Sequence, residues 1–199
     1  MTVENIISIY RLATPEEKRD GVVWYAQALA ECNRIALDYD VPLYIVVGVC
    51  AALSPNNRWE RNVQNTRDMV QAFINGDDID SFKVSTYHAM KQKAWGILEA
   101  MPETEAEVIT ILNGQKIISF FQNIMGYDTC TIDGHARNIA YNVREGLTGS
   151  ISIGKKEYAT LQAEYVKAGK KVRLNGRALK AFEMQAITWV VWRRIHGIG

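Results

Sequence analysis

A lysine and an aspartate in the second half of the chain are the residues best suited to chemistry. Lys116 follows a short Leu-Asn-Gly-Gln turn, and Asp133 comes 17 residues later in the sequence Thr-Ile-Asp-Gly-His. An amine can attack a sugar carbon, and a carboxylate stabilises the positive charge that develops on a sugar as its glycosidic bond breaks. The pair therefore indicates an enzyme that cleaves the glycosidic bond of a nucleoside in DNA.

The turn before Lys116 is suited to holding a phosphate. Asn113 and Gly114 favour a tight turn because both residue types tolerate left-handed backbone angles, and Gln115 then opens a helix. The first N–H groups of a helix have no partner within it, and the helix dipole places partial positive charge there. These three residues are therefore predicted to contact the DNA backbone.

Three blocks resemble, in order, the helix-hairpin-helix DNA glycosylase superfamily, which includes endonuclease III and 8-oxoguanine DNA glycosylase. Residues 50–66 (CAALSPNNRWERNVQNT) are similar to the family's early L-S-x-Q helix start, and residues 87–98 (YHAMKQKAWGIL) to its Y-x-x-K-A-x-x-I helix. In the third block Lys116, Asp133 and His135 match the lysine, aspartate and histidine that follow the family's hairpin. The resemblance implies an all-α, two-lobed fold of this type with a cleft between the lobes.

The resemblance also implies catalytic roles for two residues. Asp133 would stabilise the developing charge and activate the attacking group, and Lys116 would attack the sugar to form a Schiff base, which adds lyase activity to base excision. Without that lysine, water would be the nucleophile. The residue types alone leave simpler roles open, since Asp133 is also a good helix N-cap and Lys116 an exposed lysine at a helix start.

Two further sets of residues acquire roles from the resemblance. Asn56 and Arg58 occupy the segment that fills the hole left by a flipped base, and they are expected to contact DNA. Gln185 and Trp189 lie four residues apart on one face of the last helix and, with His135, would form the base pocket. The alternatives are a capped turn at 56–58, core packing of Trp189 and a structural histidine.

The chain departs from the family pattern in three places. Its hairpin is two residues shorter than the family's L-P-G-x-G-x-K and has one glycine, and Asn56 stands where the family has a glutamine. The four-cysteine iron–sulfur loop of endonuclease III has no counterpart, because the three cysteines are separated by 18 and 80 residues. His88 and His196 have no companion at ligand spacing, so neither a cofactor nor a metal is expected.

Composition and charge favour a cytoplasmic globular protein. With 199 residues and 48% hydrophobic content, the chain can bury a sizeable core. Residues 150–199 contain ten Lys or Arg and three acids, whereas the whole chain has a net charge of +1, so the basic C-terminal segment could contact phosphates. The few cysteines and the lack of a leader predict a location in the cytoplasm, nucleoid-associated or in a phage-infected host. The lack of an apolar run of about 18 residues predicts no membrane span. The expected partner is DNA, and the protein is expected to be a monomer.

Helical periodicity dominates the sequence, and strand alternation is scarce. The lobe that carries the hairpin (112–116) is predicted at 55–125, and the other lobe at 1–54 with 126–199. A loop is expected at 146–154. Thr14 before Pro15, and Thr104 with Glu107 three residues later, are helix start signals. The predicted helices are 14–39, 42–53, 56 or 57 to 73, 85 or 86 to 101, 104–112, 116–125, 133–144, 155–168 and 178–195.

Two other functions fit the same residues. A glycosylase-like enzyme of a viral base-modification system would act on a hypermodified pyrimidine or its nucleotide, and the shortened hairpin favours it because the grip on duplex DNA would be weaker. A helical DNA-binding module without catalysis would leave Asp133 as a cap only. DNA base excision is the primary prediction.

Overall fold

The computed structural model describes residues 2–145 and 152–197, and this part of the chain is all-α, as predicted. It contains ten α-helices and one 3-10 turn (Ile79–Ser81), with an isolated bridge between Leu174 and Arg177 and no strand. Most of the loop predicted at 146–154 lies outside the described residues. The helices are α1 (Thr2–Arg11), α2 (Pro15–Tyr39), α3 (Leu43–Leu53), α4 (Trp59–Asn75), α5 (His88–Ala100), α6 (Glu105–Leu112), α7 (Gln115–Ile124), α8 (Gly134–Tyr141), α9 (Lys155–Lys171) and α10 (Ala181–Ile195).

The chain forms two compact units. Unit 1 comprises Met1–Ala26 with Gly126–Gly199, and unit 2 comprises Gln27–Met125. The chain divides after Ala26, inside α2, and again after Met125. The lobes drawn from the sequence have their boundaries at residues 54 and 125. Because α3 packs against α4, α5, α6 and α7, its residues belong to unit 2.

Unit 2 is built around α3. This helix is apolar on every side, and its residues from Ile45 to Leu53 are all buried, as expected of a helix surrounded by others. Gly48 lets α6 approach closely, because a Cβ atom at this position would lie 2.6 Å from Val108 Cγ1. The central helix thereby fixes α6 and α7, which flank the predicted hairpin.

Unit 1 packs α1, α8, α9 and α10 around one hydrophobic core. The start of α2 joins it through Gly21, where a Cβ atom would lie 2.5 Å from Ile187 Cγ1 of α10. The predicted start signal of α2 is confirmed, since Thr14 Oγ1 accepts from Glu17 N at 3.1 Å and Glu17 Oε2 accepts from Thr14 N at 2.8 Å.

The predicted starts of α6 and α9 are confirmed, whereas α4 and α5 begin further along the chain than predicted. Thr104 caps α6, as its hydroxyl accepts from Glu107 N. The residue before α4 is Arg58 and the residue before α5 is Tyr87, and neither side chain caps its helix. The sequence had predicted Asn56 or Asn57 as the start of α4, and Ser85 or Thr86 as the start of α5. No helix of the described residues is long and apolar enough to cross a membrane.

Candidate functional site

Asp133 lies at the N-terminus of α8 in unit 1. Its backbone is extended, and its Oδ1 accepts a hydrogen bond from Ala136 N at 2.8 Å, so the predicted capping role is present. Oδ2 makes no hydrogen bond with any residue of the described ranges. The side chain is half-buried. The capping bond therefore fixes the carboxylate while one oxygen stays available to a ligand or water.

The segment that leads into Asp133 is held by α9. Ile132 N donates to Tyr158 Oη at 3.0 Å, and Gln162 Nε2 donates to Cys130 O at 2.9 Å. Cys130 and Ile132 are buried in the unit 1 core. Because both bonds involve the backbone of this segment, the position of Asp133 is set by the packing of α9.

Asp133 places its negative charge beside buried neutral groups. Burial raises the pKa of the Cys130 thiol well above its ordinary value, and the Asp133 carboxylate raises it further. Burial likewise raises the pKa of Tyr25, to which Asp133 also contributes. Tyr165 is affected in the same way. These groups stay protonated at neutral pH, so Asp133 is the anionic group that they share.

The three residues of the predicted base pocket lie on α8 and α10 of this unit. The rings of His135 and Trp189 contact each other edge to face, with centroids 6.0 Å apart. Gln185 is one helical turn before Trp189 on α10, and its Oε1 accepts from Tyr25 Oη at 3.4 Å. His135 thus contacts Trp189, Gln185 contacts Tyr25, and Asp133 precedes His135 by two residues at the start of α8.

Two members of this neighbourhood were not found from the sequence. Tyr25 lies within the long helix α2, where it resembles any other apolar position, yet its ring packs edge to face on Phe182 at 5.2 Å and its hydroxyl reaches Gln185. Thr131 is buried, and its hydroxyl is hydrogen-bonded to that of Tyr25. No periodicity or spacing in the sequence indicates either contact.

Arg193 covers part of Trp189. Its guanidinium carbon lies 4.4 Å from the centre of the Trp189 ring, which is a cation–π contact. The contact places a positive charge on one face of the Trp189 ring.

The predicted hairpin is present in unit 2 as two helices joined by a two-residue turn. Asn113 ends α6 in the left-handed conformation (φ 41°, ψ 46°), and Gly114 is extended (φ −160°, ψ 124°) at the start of α7. Asn113 therefore supplies the positive φ of this turn, which few residue types other than glycine adopt readily. The N-cap residue of α7, Gly114, has no side chain to cap the helix.

Lysine side chains near this hairpin differ in exposure. Lys116 is exposed in the first turn of α7 and makes no ion pair with a described residue. Lys93 of α5 is half-buried and donates to the carbonyl oxygen of Leu112, the last residue of α6. Lys91 is buried and donates to Phe82 O at 2.6 Å. Both lysines of α5 are therefore paired with backbone carbonyl groups.

The segment predicted to fill the gap in DNA is a braced loop of unit 2. Asn56 is exposed at its tip with a positive φ of 53°, and Arg58 is exposed at the start of α4. Asn57 points inward and donates to Leu53 O at 3.1 Å and to Asn65 Oδ1 at 3.3 Å. The inward bonds of Asn57 explain why it does not cap α4, and they hold Asn56 outward.

Two surface cavities lie within single units. One of about 330 Å³ in unit 2 is lined by the end of α2, the segment that follows it and the start of α3, including Leu37 and Val41. The other, of about 640 Å³ in unit 1, is lined by residues that include Lys18, Val23 and Leu174. Neither is lined by a predicted site residue. Among the described residues, no group of three or more His, Cys, Asp or Glu could hold a metal ion.

Comparison with known proteins places the chain in a family without assigning an activity. The chain belongs to DUF7178, a family of unknown function, whose model matches residues 1–196. No curated protein and no solved structure matches the chain significantly.

Proposed function

We propose that this DUF7178 member is a DNA glycosylase of the helix-hairpin-helix type, which removes a damaged, mispaired or modified base by cleaving its N-glycosidic bond. The observation that carries the proposal is the arrangement of Asp133. Its carboxylate is fixed by one oxygen at the start of α8, and the same helix carries His135, whose ring packs edge to face on Trp189 of α10. In this proposal His135, Trp189 and Gln185 receive the flipped base.

The proposed reaction uses Asp133 in two ways. As the bond between C1′ and the base nitrogen breaks, the electron pair leaves with the base and the sugar becomes cationic, so a nearby carboxylate stabilises it. Water then bonds to C1′, and its proton passes to the free oxygen of Asp133. The departed base anion takes up a proton from solvent and Asp133 loses the proton it received, so the products are the free base and an abasic site.

The hairpin and the braced loop of unit 2 support DNA as the substrate. The α6–α7 turn leaves the start of α7 without a side-chain cap, and such a helix end binds phosphate. In the loop, Asn56 and Arg58 are exposed and therefore accessible to a duplex. In this proposal Asn113, Gly114 and Gln115 contact the backbone, and Lys116 either binds phosphate or attacks the sugar.

Excision assays on duplexes with a panel of altered bases test the proposal. We expect release of at least one base by the wild type and none by Asp133→Asn, a variant that keeps the cap because asparagine is also a good N-cap. Asp78→Asn is the matched control, since Asp78 caps the 3-10 turn through the same kind of bond to Asp80 N. Absence of release from every duplex would contradict the proposal.

Borohydride trapping separates the two roles of Lys116. If Lys116 attacks the sugar, reduction links the protein covalently to the DNA, and Lys116→Met abolishes the link. If water attacks, no adduct forms, and Lys116→Met weakens only DNA binding.

The short hairpin supports a second candidate function. With one glycine and two residues fewer than the family pattern, the turn offers fewer backbone N–H groups to a duplex. A glycosylase-like enzyme that acts on a modified pyrimidine nucleotide needs less of this grip. Release of base from free nucleotides, but not from DNA, would favour this candidate. Salt-dependent DNA binding without any release would instead indicate a non-catalytic module.

A further inference from the structure

The segment that joins α9 to α10 is fixed at both of its ends. Leu179 N donates to Gly169 O at 3.2 Å, so the chain returns to the helix that it has just left. A Cβ atom at Gly169 would lie 2.5 Å from Leu179 O, so a side chain there would displace the backbone. Between these ends, Leu174 and Arg177 exchange two backbone hydrogen bonds around a turn at 175–176, where both residues have positive φ. The conformation of the segment is therefore set by its backbone contacts.

Residues 170–180, which we call the basic loop, contain five cationic residues and no acid. All five side chains are exposed. Glu183 pairs with Arg177, and Glu4 lies 3.5 Å from Lys171, so an acid offsets two of the five. The other three have no acidic partner among the described residues, and they are Lys170, Arg173 and Lys180. The loop therefore keeps an excess of positive charge on the surface of unit 1.

The two arginines of the basic loop differ in how their guanidinium groups are used. Arg177 donates through Nη1 and Nη2 to the two carboxylate oxygens of Glu183, at 2.8 and 2.6 Å. Arg173 donates only through Nη1, to Lys170 O at 2.9 Å and Val172 O at 3.1 Å. Its Nε and Nη2 make no hydrogen bond with any residue of the described ranges. Arg173 is thus held in place by its own loop, and it keeps the pair of donors that matches two oxygens of a phosphate.

The cavity of about 640 Å³ in unit 1 lies where the basic loop meets the start of α2. Leu174 of the loop and Lys18 and Arg19 of α2 line it, together with the acid Asp20. Arg19 is exposed and makes no hydrogen bond or ion pair with a described residue. Because Arg173 immediately precedes Leu174, both elements contribute cations next to this cavity.

We infer that the basic loop and the start of α2 form a further DNA-binding surface of unit 1. Arg173 binds a backbone phosphate through Nε and Nη2, and Lys18 and Arg19 contact phosphates of the same strand. DNA fits this surface because its phosphates repeat along the strand and carry the opposite charge. The inference rests on the proposed function for the identity of the partner and deepens it. It assigns part of the affinity to residues outside both the base pocket and the α6–α7 hairpin.

Binding of an unmodified duplex by the full-length protein, measured by fluorescence anisotropy over a range of salt concentrations, tests the role of Arg173. We expect Arg173→Gln to bind about tenfold more weakly at low salt, because hydrogen bonds between charged groups are strong. Its plot of log affinity against log salt concentration is expected to be less steep by about 1, the change for one lost phosphate contact. Arg173→Lys keeps the charge but not the paired donors, so it is expected to restore the slope and only part of the affinity. Lys167→Gln is the control, since it removes an equal charge from α9 that Glu164 already neutralises.

A second pair of variants tests the contribution of α2. Arg19→Gln is expected to weaken binding and to lower the salt slope by about 1. Arg34→Gln is its control, because Arg34 is an exposed arginine of the same helix that pairs with Glu31 at 2.8 Å. If Arg173→Gln disturbs the loop, as measured by urea denaturation, the comparison of Arg19→Gln with Arg34→Gln still decides.

The outcomes separate this inference from the proposed function. If the wild type excises a base but Arg173→Gln and Arg19→Gln bind DNA as their controls do, the DNA-binding surface is overturned and the glycosylase proposal stands. If both variants lose affinity and the wild type releases no base from any duplex, the surface stands and the glycosylase proposal fails. Absence of DNA binding by the wild type overturns both.

Discussion

The side-chain ammonium of Lys93 donates a hydrogen bond to the carbonyl oxygen of Leu112, which lies 19 residues further along the chain and ends α6. The last carbonyl groups of a helix lack partners within it and carry partial negative charge, so a half-buried cation is well placed there. The same carbonyl immediately precedes the hairpin turn. Lys93 therefore connects α5 to the position from which the chain enters the turn.

Replacing Lys93 with methionine is expected to loosen the hairpin. The loss of a hydrogen bond from a charged group is expected to lower the free energy of unfolding by about 1–3 kcal/mol, measured by urea denaturation. We also expect weaker binding of duplex DNA, measured by fluorescence anisotropy. Lys91→Met is the control, since Lys91 is on the same helix but donates to Phe82 O. Equal DNA affinity in the two variants would contradict this role of Lys93.

Substitutions at Asp133 are expected to separate capping from chemistry. Asp133→Ala removes the acceptor for Ala136 N and should cost about 1 kcal/mol of stability, whereas Asp133→Asn should cost less because it retains the cap. Base excision is expected to be lost in both variants. Thermal unfolding and excision are measured on the same samples. Normal excision by Asp133→Asn would show that the carboxylate serves only the helix.

Two helical glycines of unit 2 are expected to respond oppositely to alanine. Gly48→Ala would place Cβ 2.6 Å from Val108 Cγ1, and overpacking of this kind costs about 1–3 kcal/mol. Gly96 of α5 has no atom within 4 Å of such a Cβ, so Gly96→Ala should stabilise by up to about 1 kcal/mol. Chemical denaturation checks both. Adding Val108→Ala should recover part of the stability lost in Gly48→Ala.

The stability of unit 1 is expected to fall in acid through Glu17. Arg194 Nε donates to Glu17 Oε1 at 2.6 Å, and this hydrogen bond lowers the pKa of Glu17 from its ordinary value of 4.5. A carboxyl whose pKa is lower when folded contributes stability above its unfolded pKa, and this contribution is lost as the pH falls through the folded value. Arg194→Gln should therefore be less stable than wild type at neutral pH.

The acid arm of the same experiment supplies the check. Below the folded-state pKa of Glu17, the difference in unfolding free energy between wild type and Arg194→Gln is expected to shrink, because both proteins then hold a protonated carboxyl. Lys167→Gln is the control. It breaks the ion pair between the exposed Lys167 and Glu164, which lie three residues apart on α9. A difference that stays constant with pH would contradict the assignment to Glu17.

The sequence predicted what depends on neighbours along the chain. The caps at Thr14, Thr104 and Asp133 were found because side chain and backbone lie three residues apart. The all-α class followed from helical periodicity. The left-handed turn at Asn113 was anticipated because few residue types adopt that conformation.

Contacts between distant residues could not be predicted. Lys93 and Leu112, or Tyr25 and Gln185, come together only after the helices pack, and no local pattern distinguishes them. Asn57 is of a residue type that often caps helices, but in the packed structure its amide donates hydrogen bonds to Leu53 O and Asn65 Oδ1. The sequence also could not show that α3 belongs to unit 2, because the helices that pack on it, α4 to α7, all come later in the chain.

Glycine at position 114 leaves the N-terminus of α7 without a capping side chain. Its backbone is extended, and an added Cβ would make only ordinary contact with Ile117, at 3.4 Å, so neither angles nor space require glycine. A serine would fit and offer the helix its own internal acceptor, typically worth about 1 kcal/mol over a residue that cannot cap. Glycine at this position thus gives a less stable helix start but leaves its backbone N–H groups accessible to an anion such as a phosphate. Gly114→Ser is therefore expected to raise the free energy of unfolding and to lower the affinity for DNA.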